Sequence, residues 1–185
     1  MMGPELQNEK RRYLDNEVLT LTIQGAHGTR GKRVYTDNRY SEPLKQFVRS
    51  RLPELGPKYR EGGVSDPEHV QNIEGLANDL TARFQAILHR QRFRIGISQK
   101  LLNLYLKYQW VLGWIPEPPH CPFDFDVISK LKLPQRINWT ELDSREDYLI
   151  LVSAARKIAL QAGLSIASWE LREWSGRSGR GTKPK

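Results

Sequence analysis

The chain has 185 residues, 38% of them hydrophobic and 27% charged, the make-up of a soluble globular protein with one domain or two small lobes sharing a cleft. Its lone cysteine, Cys121, excludes an internal disulfide, a cysteine-rich zinc site and a four-cysteine iron–sulfur cluster. The net charge of +8 suggests a polyanionic partner, yet residues 175–185 supply half of it through Arg177, Arg180, Lys183 and Lys185.

No apolar run reaches the roughly 18 residues needed to cross a bilayer. The N-terminal MMGPELQNEKRR has no apolar signal core. The cytosol is the expected compartment, and a glycine- and serine-rich basic tail reads as a disordered end with non-specific phosphate affinity.

Taken in order, residues 9–24 read as a helix with Tyr13, Leu14, Val18, Leu21 and Thr22 toward the core, stopping at Gly25. The glycine-rich loop 25–33 does not match a GxxxxGK[ST] phosphate loop. A second helix spans 41–52, capped by Ser41 and ended by Pro53, Gly56 and Pro57. Asp66-Pro67 opens a third helical region running to about His89, with a possible break at Gly75. Its expected core residues are Val70, Ile73, Leu76, Leu80, Phe84, Ile87 and Leu88.

Arg90, Arg92 and Arg94 lead into a tight turn at Ile95-Gly96-Ile97. Ser98 then reads as the N-cap of a helix over 99–113. Leu101, Leu102, Leu104, Tyr105, Tyr108, Val111 and Leu112 make its broad apolar face, and Lys100, Asn103 and Lys107 a narrow polar one. So placed, Lys100 lies in the first turn, where the helix dipole disfavours a cation by roughly 0.3–1 kcal/mol. Such a break of a local rule marks function or strain, and a disfavoured ammonium is what a nucleophilic amine requires. A helix of about 15 residues is roughly 22 Å long. The stretch 114–123, stiffened by Pro116, Pro118, Pro119 and Pro122, spans roughly 33 Å when extended. It can therefore return Asp124 to Lys100.

Asp124 caps a short helix through Leu131, residues 139–143 are a connector, 146–163 an apolar helix and 165–174 a last one. The fold class is all-α. Residues 1–174 form one domain, with an N-terminal helical part at 9–89 and a hairpin part at 90–174, followed by the tail. Trp110 and Trp114 are assigned to the core, and His120 and Cys121, too few for a metal site, to a surface loop.

The order helix, glycine turn, helix, with a lysine at the turn's exit and an aspartate beyond, resembles the helix-hairpin-helix DNA glycosylase superfamily. Its motif G-[VI]-G-x-K-x-x-N-x-x-L stands here as Gly96-Ile97-Ser98-Gln99-Lys100-Leu101-Leu102-Asn103-Leu104-Tyr105-Leu106. The family's later Pro-[V]-Asp-x-x-[VI] element stands as Pro122-Phe123-Asp124-Phe125-Asp126-Val127. Gln24 to Gly28 matches a Gln-x-x-x-Gly near the base pocket. The small archaeal 8-oxoguanine glycosylases, which lack an iron–sulfur cluster, are the branch most similar to it. Ser98 replaces the second hairpin glycine, and Arg94 stands where a hydrophobic residue often begins the hairpin.

The resemblance implies a two-lobed helical bundle with a cleft, acting as a monomer on double-stranded DNA that carries a damaged or modified base. The target nucleotide flips out at a cost of a few kcal/mol. Backbone N–H groups at Gly96, Ile97, Ser98 and Gln99 hold a phosphate, with Arg90, Arg92 and Arg94 adding charge. Lys100 attacks the sugar C1′ and Asp124 stabilises the sugar cation or activates the amine. Gln24, Asn103, Trp169 and Trp174 are candidate pocket residues. No metal or cofactor is implied beyond a monovalent cation at the hairpin. The substrate is oxidised guanine by family or, in a phage-defence role, a bulky modified base of foreign DNA. Two other readings stay open: a binding-only hairpin module, and a helical RNA- or partner-binding protein.

Overall fold

A computed structural model describes residues 4–27, 34–36 and 41–178. Among them seven α-helices form the molecule: α1 (Pro4–His27), α2 (Ser41–Arg60), α3 (Asp66–Phe84), α4 (Ile95–Val111), α5 (Phe125–Lys130), α6 (Arg145–Gln161) and α7 (Ile166–Ser178). The described residues contain no strand, only an isolated bridge between Tyr35 and Leu88. The all-α expectation holds. No single described helix is long and apolar enough to cross a membrane.

Helix α4 is the pillar, packed by α1, α2, α3 and α6. α1 meets it with Val18, Leu19, Thr22, Ile23 and Ala26, a stripe of helical spacing. Only Val18 and Thr22 of the expected core set lie on that stripe; Tyr13, Leu14 and Leu21 are exposed. α1 also continues past Gly25 to His27.

α2 runs through both Pro53 and Pro57 instead of ending there. Each interior proline costs about 3 kcal/mol. One face buries Leu44, Val48, Leu52, Leu55 and Tyr59, and at about 1.5–3 kcal/mol for each large apolar side chain that burial outweighs the two prolines. α3 starts as expected: the Ser65 hydroxyl accepts from Glu68 N at 3.4 Å. It passes Gly75 unbroken and stops at Phe84, short of His89. Two 3₁₀ turns follow, Gln85–Ile87 and His89–Gln91, with Arg90 and Gln91 both at φ 57. This left-handed pair reverses the chain into α4.

α4 begins at Ile95, four residues earlier than the sequence suggests. It ends at Val111 and is closed by Gly113, φ 72, where Gly113 N donates to Trp110 O at 2.8 Å and Trp114 N to Gln109 O at 2.9 Å, a glycine C-terminal cap. α6 buries Tyr148, Leu151, Val152, Ala155 and Ala159. α7 extends to Ser178, so the first residues assigned to the tail are helical, and 179–185 lie outside the described residues.

Candidate active site

The narrow polar face of α4 is largely withdrawn from solvent. It forms a buried seam against segments from the C-terminal half. Lys100 Nζ lies 3.6 Å from Asp124 Oδ2, Asn103 Nδ2 donates to Cys121 O at 2.9 Å, and Lys107 Nζ pairs with Glu170 Oε2 at 2.6 Å.

The proline-rich return places Asp124 at the start of α5. One of its oxygens, Oδ1, accepts from Val127 N at 3.0 Å and caps that helix, leaving Oδ2 to face the lysine. The amine also sits 4.4 Å from the centroid of the Trp139 ring, within cation–π range. The Lys100 side chain is 12% exposed. Burial pushes its pKa below the ordinary lysine value, opposed by the charges of Asp124 and Asp126. Lys100 is the sixth residue of α4, past the reach of the helix dipole. Desolvation, and not the dipole, disfavours the ammonium.

The residues expected to cradle a phosphate are differently placed. Gly96, Ile97, Ser98 and Gln99 are all buried inside the first turns of α4. Gly96 N donates to Leu142 O at 2.9 Å, and Ile97 N and Ser98 N to Arg94 O at 3.1 and 3.0 Å. Ile95 N is taken by Asp143 Oδ1 at 3.1 Å. Ser98 is no N-cap, for its hydroxyl donates to Ile73 O at 2.6 Å. Gly96 is needed for close approach: a Cβ there falls 1.7 Å from Trp139 O. The chain's own 138–143 connector fills the place assigned to a DNA phosphate.

The arginines are mostly spent in the same way. Arg92 is clasped by Asp143, Asn78 and Thr81. Arg94 is buried, donating to Thr140 O and meeting His89. Arg90 remains exposed, 3.8 Å from Glu141.

Of the candidate pocket residues, Asn103 and Trp169 are buried in the core. Gln24 lies on the exposed side of α1, its motif partner Gly28 outside the described residues. Trp174 is 52% exposed, with Lys107 Nζ 5.5 Å from its ring centroid. His120 and Cys121, assigned to a surface loop, are fully buried, and the described residues contain no group of three or more potential metal ligands.

His120 instead belongs to a polar chain through the core. Asn72 Nδ2 donates to Tyr59 Oη at 3.0 Å, which meets His69 Nδ1 at 2.8 Å. His69 Nε2 meets Asn103 Oδ1 at 2.8 Å. Asn103 Nδ2 reaches Tyr148 Oη at 3.3 Å, and that hydroxyl meets His120 Nδ1 at 2.8 Å. His120 Nε2 faces Asp66 Oδ1 at 3.6 Å, and Asp66 pairs with Arg156. Burial lowers the pKa of His69 to about 3 and of His120 to about 4, so both rings are neutral at pH 7. The amide of Asn103 then orders the chain: its oxygen requires a proton on His69 Nε2, so Tyr59 donates to Nδ1.

Sequence reasoning missed the Gln99 and Tyr148 side chains and the ring of Trp139. The available signal was Gln99 and Asn103, two amides at i, i+4 on one helix. Buried amides are kept where they find partners. No protein-family model, curated protein or solved structure matches the chain, so the site is read from its own chemistry.

Proposed function

We propose that the protein is a DNA N-glycosylase with an associated abasic-site lyase activity, acting through Lys100 and Asp124. The observation that carries this reading is the pair itself. A mostly buried amine, its pKa lowered by desolvation, stands 3.6 Å from a carboxylate oxygen that is not used for capping. That is the equipment for an amine nucleophile with an adjacent proton acceptor.

In this mechanism the ammonium passes a proton to Asp124, and the neutral amine bonds to the sugar C1′ of a flipped nucleotide. The bond from C1′ to the base breaks as it forms, the electron pair leaving on the base. Opening of the sugar ring at O4′ gives a Schiff base on Lys100. Loss of a C2′ proton then expels the 3′ phosphate by β-elimination. Asp124 stabilises the cationic sugar along the way, and Trp139 keeps water from one side of the amine.

The fold that serves this chemistry is a two-lobed bundle with a cleft reaching the pair. The substrate is duplex DNA bearing a modified base, oxidised guanine or a bulky base of foreign DNA. Since the donors of residues 95–98 are taken internally, the strand's phosphates are held elsewhere. Lys132 and Arg136, exposed on the segment between α5 and Trp139, are suited to it. α5 is roughly 9 Å long, and Arg136 is three residues from Trp139, so both cations are tethered close to the amine. The buried hairpin donors weigh against a module that binds DNA through the hairpin alone.

Labelled duplexes carrying single modified bases, incubated with borohydride, test the proposal. A covalent protein–DNA adduct and free base are expected from at least one of them. Neither product from a panel including oxidised guanine and phage-type modified bases refutes it.

A further inference from the structure

Gln99 ties together the two segments that deliver the candidate catalytic pair. Its side chain is fully buried and its amide is saturated. Nε2 donates to Gly96 O at 2.9 Å and to Phe123 O at 2.7 Å. Oε1 accepts from Phe123 N at 3.1 Å and from Asn103 Nδ2 at 3.2 Å. The amide thus grips both backbone groups of Phe123, as a paired strand would. The residue after Gln99 is Lys100, and the residue after Phe123 is Asp124.

We propose that Gln99 is the positioning residue of the Lys100–Asp124 pair: by clamping Phe123 it fixes the spacing between amine and carboxylate. This inference rests on reading the pair as catalytic. The 3.6 Å ion pair is longer than a direct hydrogen bond and is by itself a loose restraint on the spacing. Further along α4, Asn103 fastens the return at Cys121 O, and the Gln99 clamp fastens it next to Asp124. Two ties leave the intervening stretch little freedom. Small misplacement of reacting groups is costly, about 100-fold in rate for an ångström.

The chemistry of the clamp supplies its own test. A glutamine both donates and accepts. In a Gln99→Glu variant the protonated acid can still donate to Phe123 O and accept from Phe123 N. Ionised, it only accepts and faces two carbonyl oxygens. Burial raises a carboxyl pKa, which places the switch within reach of mildly acidic buffers.

Two readouts are taken on the full chain, with circular dichroism confirming the fold at each pH. The first is single-turnover adduct formation at saturating DNA, expressed at each pH as variant over wild type. For Gln99→Glu this ratio rises about tenfold or more between pH ~7.5 and pH ~5.5, with DNA affinity unchanged, while Gln99→Met stays about 100-fold down throughout. The second is the NMR titration of the Lys100 side chain in the free protein, which both substitutions shift.

A folded Gln99→Met variant with the wild-type rate and the wild-type lysine titration overturns the inference. If Gln99→Met does not fold, a Gln99→Glu ratio that is flat with pH overturns it equally. Should wild type yield neither adduct nor free base, the glycosylase reading falls, and the lysine titration alone judges the clamp. A Gln99→Glu curve superimposed on wild type then sinks it.

Discussion

Replacing Gly96 by alanine tests whether the connector 138–143 is seated on α4 as described. The added Cβ falls 1.7 Å from Trp139 O and 2.8 Å from Trp139 C, both backbone atoms, so the connector must retreat by more than an ångström. That movement breaks the bond from Gly96 N to Leu142 O, worth about 1 kcal/mol. It also loosens the buried side chains of Trp139 and Leu142, each worth about 1.5–3 kcal/mol when fully buried. Alanine returns up to about 1 kcal/mol through its better helix propensity, which leaves a net destabilisation of about 3 kcal/mol. Gly75 is the control, because it lies inside α3 with nothing within 4 Å of an added Cβ. Gly75→Ala should stabilise by about 0.5–1 kcal/mol. Urea unfolding followed by tryptophan fluorescence gives both values from the midpoint at constant slope. A Gly96→Ala variant within 1 kcal/mol of wild type, or two glycine variants shifting in the same direction, refutes the close-approach reasoning.

Lys100→Ala should abolish the borohydride adduct, and Asp124→Asn should slow its formation about 100-fold; equal adduct from Lys100→Ala excludes that amine as nucleophile. For Lys132→Ala combined with Arg136→Ala, DNA affinity should fall and the log–log salt slope should shrink by about 2. An unchanged slope places the phosphate contacts elsewhere. The depressed pKa of His120, about 4 when folded, makes stability fall as pH drops from the unfolded value near 6.5 toward 4, because only the unfolded state takes up the proton there. Between pH 7 and 5 this amounts to about 2 kcal/mol, and the loss should be correspondingly smaller in His120→Gln.

What the sequence revealed depended on whether one physical rule dominated locally. α6 was legible because Tyr148, Leu151, Val152, Ala155 and Ala159 recur at helical spacing with nothing competing. The approach of Asp124 to Lys100 followed from a helix length and the reach of a proline-rich return. α1 misled because two overlapping apolar stripes run along it, and only packing against α4 chose between them. α2 misled because proline penalties are local whereas the burial opposing them comes from other helices. In the site, Lys100 and Asp124 were found through their spacing. Trp139 and Tyr148 reach the seam from far along the chain, and no local pattern announces them. The phosphate role given to residues 96–99 failed for a related reason: a helix start looks like an anion site until another segment supplies its acceptors.

The polar seam of α4 has a consequence for how the protein is made. During synthesis, Gln99, Asn103 and Lys107 leave the ribosome long before Phe123, Tyr148 and Glu170, the groups that satisfy them. Until Glu170 has emerged, the middle helix cannot bury those side chains without stranding amides and a charge. A nascent chain should therefore hold its first three helices in a loose, reversible association. The polar seam is complete only when the last helix docks and brings Glu170 to Lys107.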